Sequence, residues 1–314
     1  MSSPLIALTG ATGFIGRALL SDLRAHGYRV RVLLRRPVDE MPDADSAVIG
    51  DLVRPINLGR ALEDADIVVH SAGLAHTMSG RPEDDYRTIN TDATVALATA
   101  ARRAGARRFI FLSSVRAQTG YSATAVINEE SPPAPTDAYG RSKLAAEEGL
   151  AQVGLDWTAL RSALVYGPGV GGNMASLLRI ARMPWPLALP HPTGRRSLLA
   201  VENLAQAVRA TIETDQPLGR PFLVSDDGAL DVAEIIAMLR AGSGRFGLTL
   251  PLPARLFHAT SNLLGYSEIF DRLTSDLIID NSRLKTLGWQ PQTTTRMGLK
   301  RLGATLKQRI LDEE

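Results

Sequence analysis

Short apolar runs alternate with helical patterns through the first half of the chain, and this alternation most restricts its fold. Each run has the length of a buried strand, and the segments between them have the apolar spacing of a helix. The predicted strands are 5–9, 29–34, 47–49, 67–70 and 109–112, and the predicted helices are 14–26, 56–62 and 82–104. Near-continuous apolar strands separated by helices predict a parallel sheet covered on both faces. The predicted fold class is therefore α/β, with a doubly wound parallel (Rossmann) sheet.

The alternation weakens in the second half of the chain. A helix is predicted over 137–151, with Asp137 as its N-cap, and a further strand over 157–161. The segment "MPWPLALPHPTG" carries four prolines and is interpreted as a lid or a substrate-facing segment. Only short elements follow it, with helices near 202–213, 232–239 and 293–310. We therefore expect a dinucleotide-binding domain over 1–168, to which 197–225 return, and a smaller interleaved substrate-binding cap over 169–314.

Composition excludes several classes of function. The 314 residues include 35 basic and 33 acidic side chains, and the basic pairs are scattered, so nucleic-acid binding is not expected. The absence of cysteine excludes disulfides, thiol nucleophiles and Cys-ligated metals, and no metal site is predicted. No apolar run approaches the ~18 residues of a membrane span, and the N-terminus does not resemble a signal peptide. A cytoplasmic protein that binds small anionic ligands is expected.

The stretch "LTGATGFIG" places three glycines between the first predicted strand and the first predicted helix. Gly10 allows a sharp turn, Gly13 lets the backbone approach a diphosphate, and Gly16 lets the helix pack closely on the strand. The phosphates would then meet unpaired N–H groups at the positive end of the helix dipole. This motif predicts a dinucleotide site, and the alternative is a tight turn that binds nothing.

The end of the second predicted strand indicates which dinucleotide binds. An acidic residue there would accept hydrogen bonds from the ribose 2′-hydroxyl of NAD. Here Leu34 is followed by Arg35 and Arg36, and two guanidinium groups could hold a 2′-phosphate. We expect NADP(H), with NAD as the alternative if these arginines are only solvated surface charges. Asp51, in "GDL" after the third strand, could reach the adenine amino group.

A catalytic set is predicted from three further residues. Tyr139 and Lys143 are four residues apart in "YGRSK" and share one face of a helix. An ammonium group beside a phenol would lower the pKa of the tyrosine towards the working range of an acid–base catalyst. Ser114 ends the apolar run "FIFLSS", 25 positions before Tyr139, where a doubly wound sheet presents its chemistry.

With these motifs the chain resembles the short-chain dehydrogenase/reductase superfamily, in its extended branch of sugar-nucleotide epimerases, dehydratases and reductases. The resemblance is carried by "TGATGFIG", "GDL", "VVHSAG", Asn90, "FIFLSS", "YGRSK", "LRSALVYGPG" and "IIDNSRLKTLGWQP". It implies that Tyr139 is the general acid/base, that Lys143 tunes it and anchors the ribose, and that Ser114 polarises the substrate oxygen. The implied cofactor-binding residues are Gly10, Thr12, Gly13, Phe14, Ile15, Gly16, Arg35, Arg36, Asp51, Leu52, Ser71, Ala72, Gly73, Tyr139, Lys143 and Val165.

The resemblance also narrows the reaction. Dehydratases of this branch carry an acidic pair after the Ser114 position, where this chain has Val115 and Arg116. Epimerases usually carry "VYG" shortly after that serine, where this chain has "VRAQTG". Its motifs are most similar to those of bacterial UDP-sugar 4-ketoreductases, although Ser162 replaces a usual proline, Ala93 a usual glycine and "RAQTG" a Lys-x-Asn-Gly run.

We therefore expect an NADP(H)-dependent reductase of a keto group on a sugar nucleotide. The alternatives are a sugar-nucleotide 4-epimerase that holds NAD tightly, a non-catalytic dinucleotide sensor or assembly protein, and a reductase of non-nucleotide ketones. The resemblance implies that Arg196 contacts the substrate diphosphate, with Asn173 on the opposing loop, Arg272 as a second contact, and Ser114 on the sugar. For Arg196 a structural ion pair is the alternative. A homodimer that pairs through 82–104 and 137–151 is also implied.

Overall fold

A computed structural model describes residues 3–38, 45–75, 81–245, 249–253 and 273–311, and for residue 173 and residues 306–311 it describes the backbone alone. The strands are β1 Leu5–Thr9, β2 Arg29–Leu34, β3 Asp45–Val48, β4 Gly50–Asp51, β5 Arg54–Pro55, β6 Ile67–His70, β7 Arg108–Ser114, β8 Asp156–Ser162, β9 Leu164–Tyr166, β10 Leu187–His191, β11 Arg195–Arg196, β12 Leu198–Ala200, β13 Arg220–Val224, β14 Leu230–Asp231 and β15 Thr249–Pro253. The α-helices are α1 Phe14–Ala25, α2 Leu58–Ala61, α3 Glu83–Tyr86, α4 Ala93–Arg103, α5 Ala138–Val153, α6 Gly172–Ala181, α7 Val201–Glu213, α8 Val232–Gly242, α9 Ser282–Lys285 and α10 Thr295–Leu311.

The central sheet has seven parallel strands in the order β13-β8-β7-β6-β1-β2-β3. This confirms the predicted doubly wound α/β fold. All the strands predicted in the first half are present, and β7 extends beyond its predicted ends to include Arg108 and Ser114. The strand order reverses between β1 and β6, so their carboxyl ends open onto a crevice where such folds bind ligands.

Both faces of the sheet are buried, which explains why its strands read as continuous apolar runs. Along β1, Leu8 belongs to the apolar cluster that α1 and α7 cover, and its neighbour Ala7 belongs to the cluster that α4 and α5 cover. Successive side chains of a strand point to opposite faces, so Leu5 to Leu8 are all apolar and pack against one or the other helical layer.

The helix predicted over 82–104 is present, but it contains a π-helical turn. A π-helical turn at Arg87–Asp92 separates α3 from α4. Asn90 is buried in this turn, and its amide accepts a hydrogen bond from the backbone N–H of Leu74 at 2.8 Å and donates to the Leu74 carbonyl at 3.1 Å. The turn therefore carries the polar group that fixes the segment after β6, and apolar periodicity alone does not reveal such an inserted residue.

The second half of the chain contributes to the sheet and also forms smaller units. Strand β13 pairs with β8 at the edge of the sheet, and β12 pairs with β9. Helices α6, α8 and α10 share a separate apolar cluster. Within the predicted lid, β10 pairs in parallel with β15. The division of the chain into two domains stays a prediction. Among the described residues, no helix combines the length and apolarity needed to cross a membrane.

Candidate active site

The glycine loop joins β1 to α1, and two of its positions have no room for a side chain. Gly10 has a φ of +75°, and a Cβ atom there would lie 2.7 Å from the backbone nitrogen of Ala72. A Cβ atom at Gly16 would lie 2.0 Å from the carbonyl oxygen of Gly10. Gly13 is exposed and precedes the open N-terminus of α1. The loop therefore presents bare backbone to the crevice, as the motif predicted.

A cavity of about 1090 Å³ lies beside this loop. It exceeds the roughly 300–1,000 Å³ of ordinary small-molecule sites. The predicted cofactor residues that line it are Gly10, Thr12, Arg35, Arg36, Asp51, Leu52, Ala72 and Gly73. Arg17, which the sequence analysis missed, also lines it from α1. The glycine cradle, the helix N-terminus and three arginines form a donor set that fits an anionic dinucleotide.

Other members of the predicted cofactor set lie elsewhere. Phe14 lines a separate cleft between α1 and α7, and Ile15 packs against the apolar core. Ser71 abuts Gly10, and Val165 is buried in β9. None of these four residues is among the described residues that line the cavity. Their assignment to the cofactor stays a prediction.

The ammonium group of Lys143 lies close to Gly73, which lines the cavity. A Cβ atom at Gly73 would lie 3.6 Å from its ammonium nitrogen. The ammonium group donates a hydrogen bond to the carbonyl of Leu112 at 3.0 Å and lies 4.4 Å from the ring centroid of Phe111. Burial lowers the pKa of Lys143 to about 8. This lysine is therefore placed between the cavity and the strand that carries Ser114.

Ser114 and Tyr139 are brought together at the carboxyl end of β7. The hydroxyl group of Ser114 is hydrogen-bonded to the phenol of Tyr139. Ser114 also caps a short 3₁₀ turn at Val115–Ala117, and its Oγ accepts from the backbone N–H of Arg116 at 3.2 Å. Tyr139 is the second residue of α5, whose N-cap is Asp137, as predicted.

The electrostatic environment of Tyr139 differs from the expected one. Its pKa is raised to about 12, chiefly because burial disfavours the charged phenolate. The Lys143 ammonium lies 5.9 Å from the centroid of the tyrosine ring, and Arg116 is a cation that lowers this pKa. That Lys143 lowers the pKa of Tyr139 stays a prediction.

A buried network of charged and polar side chains links α5 to β7 and β8. Arg161 on β8 donates from Nη2 to the carboxylate of Glu147 at 2.6 Å, and the Ser113 hydroxyl donates to the same carboxylate at 2.5 Å. Glu147 follows Lys143 by four residues, so both lie on one face of the helix. The sequence analysis missed this network, and that spacing is the only local signal of it.

His70, from the predicted motif "VVHSAG", is buried under the site. Its Nδ1 lies 2.7 Å from the hydroxyl of Thr9, and its Nε2 lies 3.0 Å from the hydroxyl of Thr94. Burial lowers the pKa of His70 to about 3, so the imidazole is neutral at physiological pH. The histidine therefore acts as an uncharged structural link between β1, β6 and α4.

The structure describes only some of the predicted substrate-binding residues. Arg196 lies in β11 and donates to the backbone carbonyl of Tyr121. The ring of Tyr121 stacks under the guanidinium group of Arg116, whose central carbon lies 3.6 Å from the ring centroid. Arg196 is thus linked to the end of β7 through one residue. The backbone of Asn173 begins α6, and Arg272 lies outside the described residues, so both assignments stay predictions.

Comparisons with a family model and with known proteins find similar enzymes. Residues 6–224 match the model of the NAD dependent epimerase/dehydratase family. The chain is 35% identical over 306 residues to a UDP-glucose 4-epimerase of Vibrio cholerae, which covers 94% of this chain and 93% of that protein. It is 34% identical over 182 residues to a dTDP-4-dehydrorhamnose reductase of Burkholderia thailandensis, which covers 56% of this chain and 55% of that protein.

A solved structure of MoeE5 in complex with UDP-glucose and NAD is similar over almost the whole chain. The TM-score is 0.77 at 27% identity, and the alignment covers 97% of this chain and 99% of that one. The similarity therefore includes the second half of the chain as well as the sheet.

Proposed function

The chain belongs to the NAD-dependent epimerase/dehydratase family, as its motifs predicted, and we propose that within this family it is an NADP(H)-dependent 4-ketoreductase of a UDP-linked sugar. The observation that carries this proposal is the hydrogen-bonded pair of Ser114 and Tyr139 at the carboxyl end of β7, in a sheet whose strands β1 and β2 end at a dinucleotide-sized cavity. A similar structure holds both UDP-glucose and NAD, which supports a sugar nucleotide as the substrate.

The residues of the pair have distinct tasks in this reaction. When bound, the nicotinamide supplies a hydride to the ketone carbon. Ser114 donates a hydrogen bond to the ketone oxygen, and Tyr139 gives its proton to that oxygen as negative charge develops there. A phenol whose pKa is about 12 is fully protonated at neutral pH, which suits a proton donor. Lys143 holds a positive charge close to Gly73, which lines the cavity, and there it can bind a ribose hydroxyl.

Two arginines support the preference for NADP(H). Arg35 and Arg36 follow β2 directly and line the cavity, and neither they nor Leu34 offers a carboxylate to a ribose 2′-hydroxyl. Arg35 lies 3.6 Å from the carboxylate of Asp51, and both side chains are largely exposed, so this pair can open at little cost. Michaelis constants for NADPH and NADH test the preference, and a lower constant for NADH would contradict it.

The second candidate is a 4-epimerase that retains NAD, and the full-length similarity to a UDP-glucose 4-epimerase favours it. In that reaction Tyr139 would first accept a proton from the C4 hydroxyl group and later return it. This role uses Tyr139 as base and acid in turn, whereas the ketoreductase uses it as acid.

One set of assays separates the candidates. A ketoreductase consumes NADPH when a UDP-4-keto-6-deoxy sugar is added, and the loss of absorbance at the NADPH band reports it. An epimerase converts UDP-glucose to UDP-galactose without added cofactor, which proton NMR detects, and carries stoichiometric NAD through purification. Tyr139→Phe and Ser114→Ala should abolish either activity, and Ser114→Ala should do so while leaving cofactor affinity intact. Cofactor binding without either activity would favour a sensor and contradict both candidates.

The proposed enzyme is a homodimer that pairs through α4 and α5. These helices pack tightly, since a Cβ atom at Gly149 would lie 2.4 Å from a methyl group of Val95. The outer face of α4 has a shallow cleft of about 590 Å³ lined partly by Val95, Ala96 and Thr99. Sedimentation equilibrium should show a dimer, and Ala96→Glu should dissociate it; a wild-type monomer at micromolar concentration would contradict this.

A further inference from the structure

Arg116 contacts both elements that carry the Ser114–Tyr139 pair. Its backbone N–H donates to the hydroxyl of Ser114 at 3.2 Å, and its guanidinium group donates to the carboxylate of Asp137. The other carboxylate oxygen of Asp137 accepts from the backbone N–H of Gly140 at 2.6 Å and so caps α5. A Cβ atom at Gly140 would lie 2.3 Å from the Arg116 carbonyl, so helix and turn are in direct contact.

The charge of Arg116 is deeply buried and only partly compensated. The residue is 8% exposed, and its Nε and Nη1 atoms have no hydrogen-bond partner among the described residues. Its compensation comes from one carboxylate, that of Asp137, and from the ring of Tyr121. Burying a cation with unmade hydrogen bonds is costly, and its field is strong where water is excluded. A position that served only packing would be filled more stably by an apolar side chain.

We propose that Arg116 is a positioning residue of this enzyme: through Asp137 it holds the start of α5 against the Ser114 turn, and its buried guanidinium group keeps a positive charge beside the elements that carry the Ser114–Tyr139 pair. The proposal rests on the proposed function in that it takes Ser114 and Tyr139 as the reacting pair.

The charges that face Tyr139 support this assignment. Arg116 lowers the pKa of the phenol, Asp137 and the phenol of Tyr86 raise it, and the hydrogen bond from Ser114 lowers it. The Lys143 ammonium group is a further charged group near the tyrosine, at 5.9 Å from the ring centroid. Arg116 and Asp137 therefore act on Tyr139 with opposite sign. Removing each charge alone should move the pKa of Tyr139 in opposite directions, whereas a loss of packing would not.

The experiment compares Arg116→Met, Arg116→Lys and Asp137→Asn with Arg108→Met. The control removes a second buried arginine–aspartate pair, Arg108 with Asp156 at 2.6 Å, which lies at the other end of β7. Each protein is saturated with NADP⁺ and carries tyrosine labelled with ¹³C at Cζ. The pH titration of the Tyr139 resonance, assigned with Tyr139→Phe, is followed by NMR beside thermal unfolding.

Asp137→Asn should lower the pKa of Tyr139 by roughly one unit, while asparagine preserves the helix cap. In Arg116→Met the pKa of Tyr139 should rise. Its resonance should therefore remain that of the protonated phenol at pH values where Tyr139 of the wild type has begun to ionise. Arg116→Lys should titrate as the wild type does but reduce a 4-keto sugar with a lower kcat, because lysine cannot keep the paired, stacked geometry. Arg108→Met should lower the melting temperature without moving the resonance.

Shifts of Tyr139 in one common direction, no shift, or an equal shift in Arg108→Met would overturn the proposal. If Arg116→Met does not fold, the other two variants still test the proposal. Asp137→Asn should shift the titration of Tyr139, and Arg116→Lys should not. The titration uses no sugar. A protein that shows these shifts but reduces no 4-keto sugar would contradict the proposed function and leave the role of Arg116 supported.

Discussion

The ammonium group of Lys143 donates a hydrogen bond to the backbone carbonyl of Leu112 at 3.0 Å, two residues before Ser114 on the same strand. The helix that carries Tyr139 is thereby tied to the strand that carries Ser114. The lysine is held in an apolar setting against the ring of Phe111, which lowers its pKa to about 8. A site that keeps a cation there gives up stability for function.

Lys143→Met should therefore inactivate the enzyme and stabilise the fold. The pKa of this lysine is lower in the folded chain than in the unfolded one, so the buried charge opposes folding at every pH below about 8. The free energy of unfolding should rise in the variant by at most about 3 kcal/mol near pH 7. The gain should shrink as pH rises from about 8 to 10.5, where the wild-type lysine loses its proton. Urea unfolding across this pH range measures it.

Lys300→Met is the control, because Lys300 is exposed on α10. It should leave both activity and stability nearly unchanged. A Lys143→Met protein that is less stable than the wild type at pH 7 would show that the hydrogen bond to Leu112 outweighs the cost of burial.

Gly16→Ala and Gly13→Ala should separate the packing role of the glycine loop from its binding role. A methyl group at Gly16 would meet the Gly10 carbonyl at 2.0 Å, so the variant should lose about 1–3 kcal/mol of stability. At Gly13 the corresponding distance is 3.3 Å, so stability should change little while NADP(H) affinity falls. Urea unfolding and fluorescence titration measure the two effects.

Gly59→Ala serves as the matched control for both variants. A Cβ atom at Gly59 would have no neighbour within 4 Å, and alanine favours the helical backbone of α2. This variant should bind NADP(H) normally and be as stable as the wild type or slightly more so. Equal loss of affinity in Gly13→Ala and Gly59→Ala would argue against a cofactor at the loop.

Replacing Arg35 and Arg36 by serine should remove the preference for NADP(H). Each guanidinium group that binds the 2′-phosphate contributes on the order of 1.5–3 kcal/mol, so each single variant should raise the Michaelis constant for NADPH by about tenfold or more. The constant for NADH should change much less. Arg60→Ser, an exposed arginine of α2 away from the cavity, is the control. Equal loss with both cofactors would indicate general attraction of anions.

Asp226 should make stability fall with rising pH. Its buried carboxyl accepts hydrogen bonds from Tyr166, Asn203 and the backbone of Ala200, yet burial dominates and raises its pKa to about 6. The folded chain therefore binds this proton more tightly than the unfolded chain does. Relative to Asp226→Asn, the wild type should lose up to about 3 kcal/mol between pH 4 and 6. Urea unfolding at several pH values measures the difference.

At the neighbouring position, the carboxylate of Asp227 should make stability depend on pH in the opposite direction, and Asp227→Asn tests this. Hydrogen bonds from Lys285 and Asn281 hold the pKa of Asp227 below its ordinary value, although its partial burial opposes them. Its contribution to stability is present above the ordinary pKa of an aspartate and is lost as pH falls. The wild type should gain stability over Asp227→Asn as pH rises through this range. Equal slopes for the two variants would contradict both assignments.

Much of the site was readable from short stretches of sequence. The glycine spacing, the arginines after β2 and the placing of Ser114 at a strand end all follow from turn chemistry and strand periodicity, which depend on neighbouring residues. The family followed from the order of these motifs along the chain. The π-helical turn around Asn90 could not be predicted from the sequence pattern, because one extra residue in a helix leaves the apolar pattern almost unchanged.

The sequence by itself determined that a doubly wound sheet would bring Ser114, Tyr139 and a glycine loop to one edge, because local propensities and the rules for parallel strands leave few other arrangements. Only the tertiary structure decided which charges face Tyr139. Arg116 and Asp137 are 21 residues apart and meet only because the sheet and α5 are already packed. A side chain's electrostatic role depends on burial and on distances across the fold, and neither is encoded in the spacing of a motif.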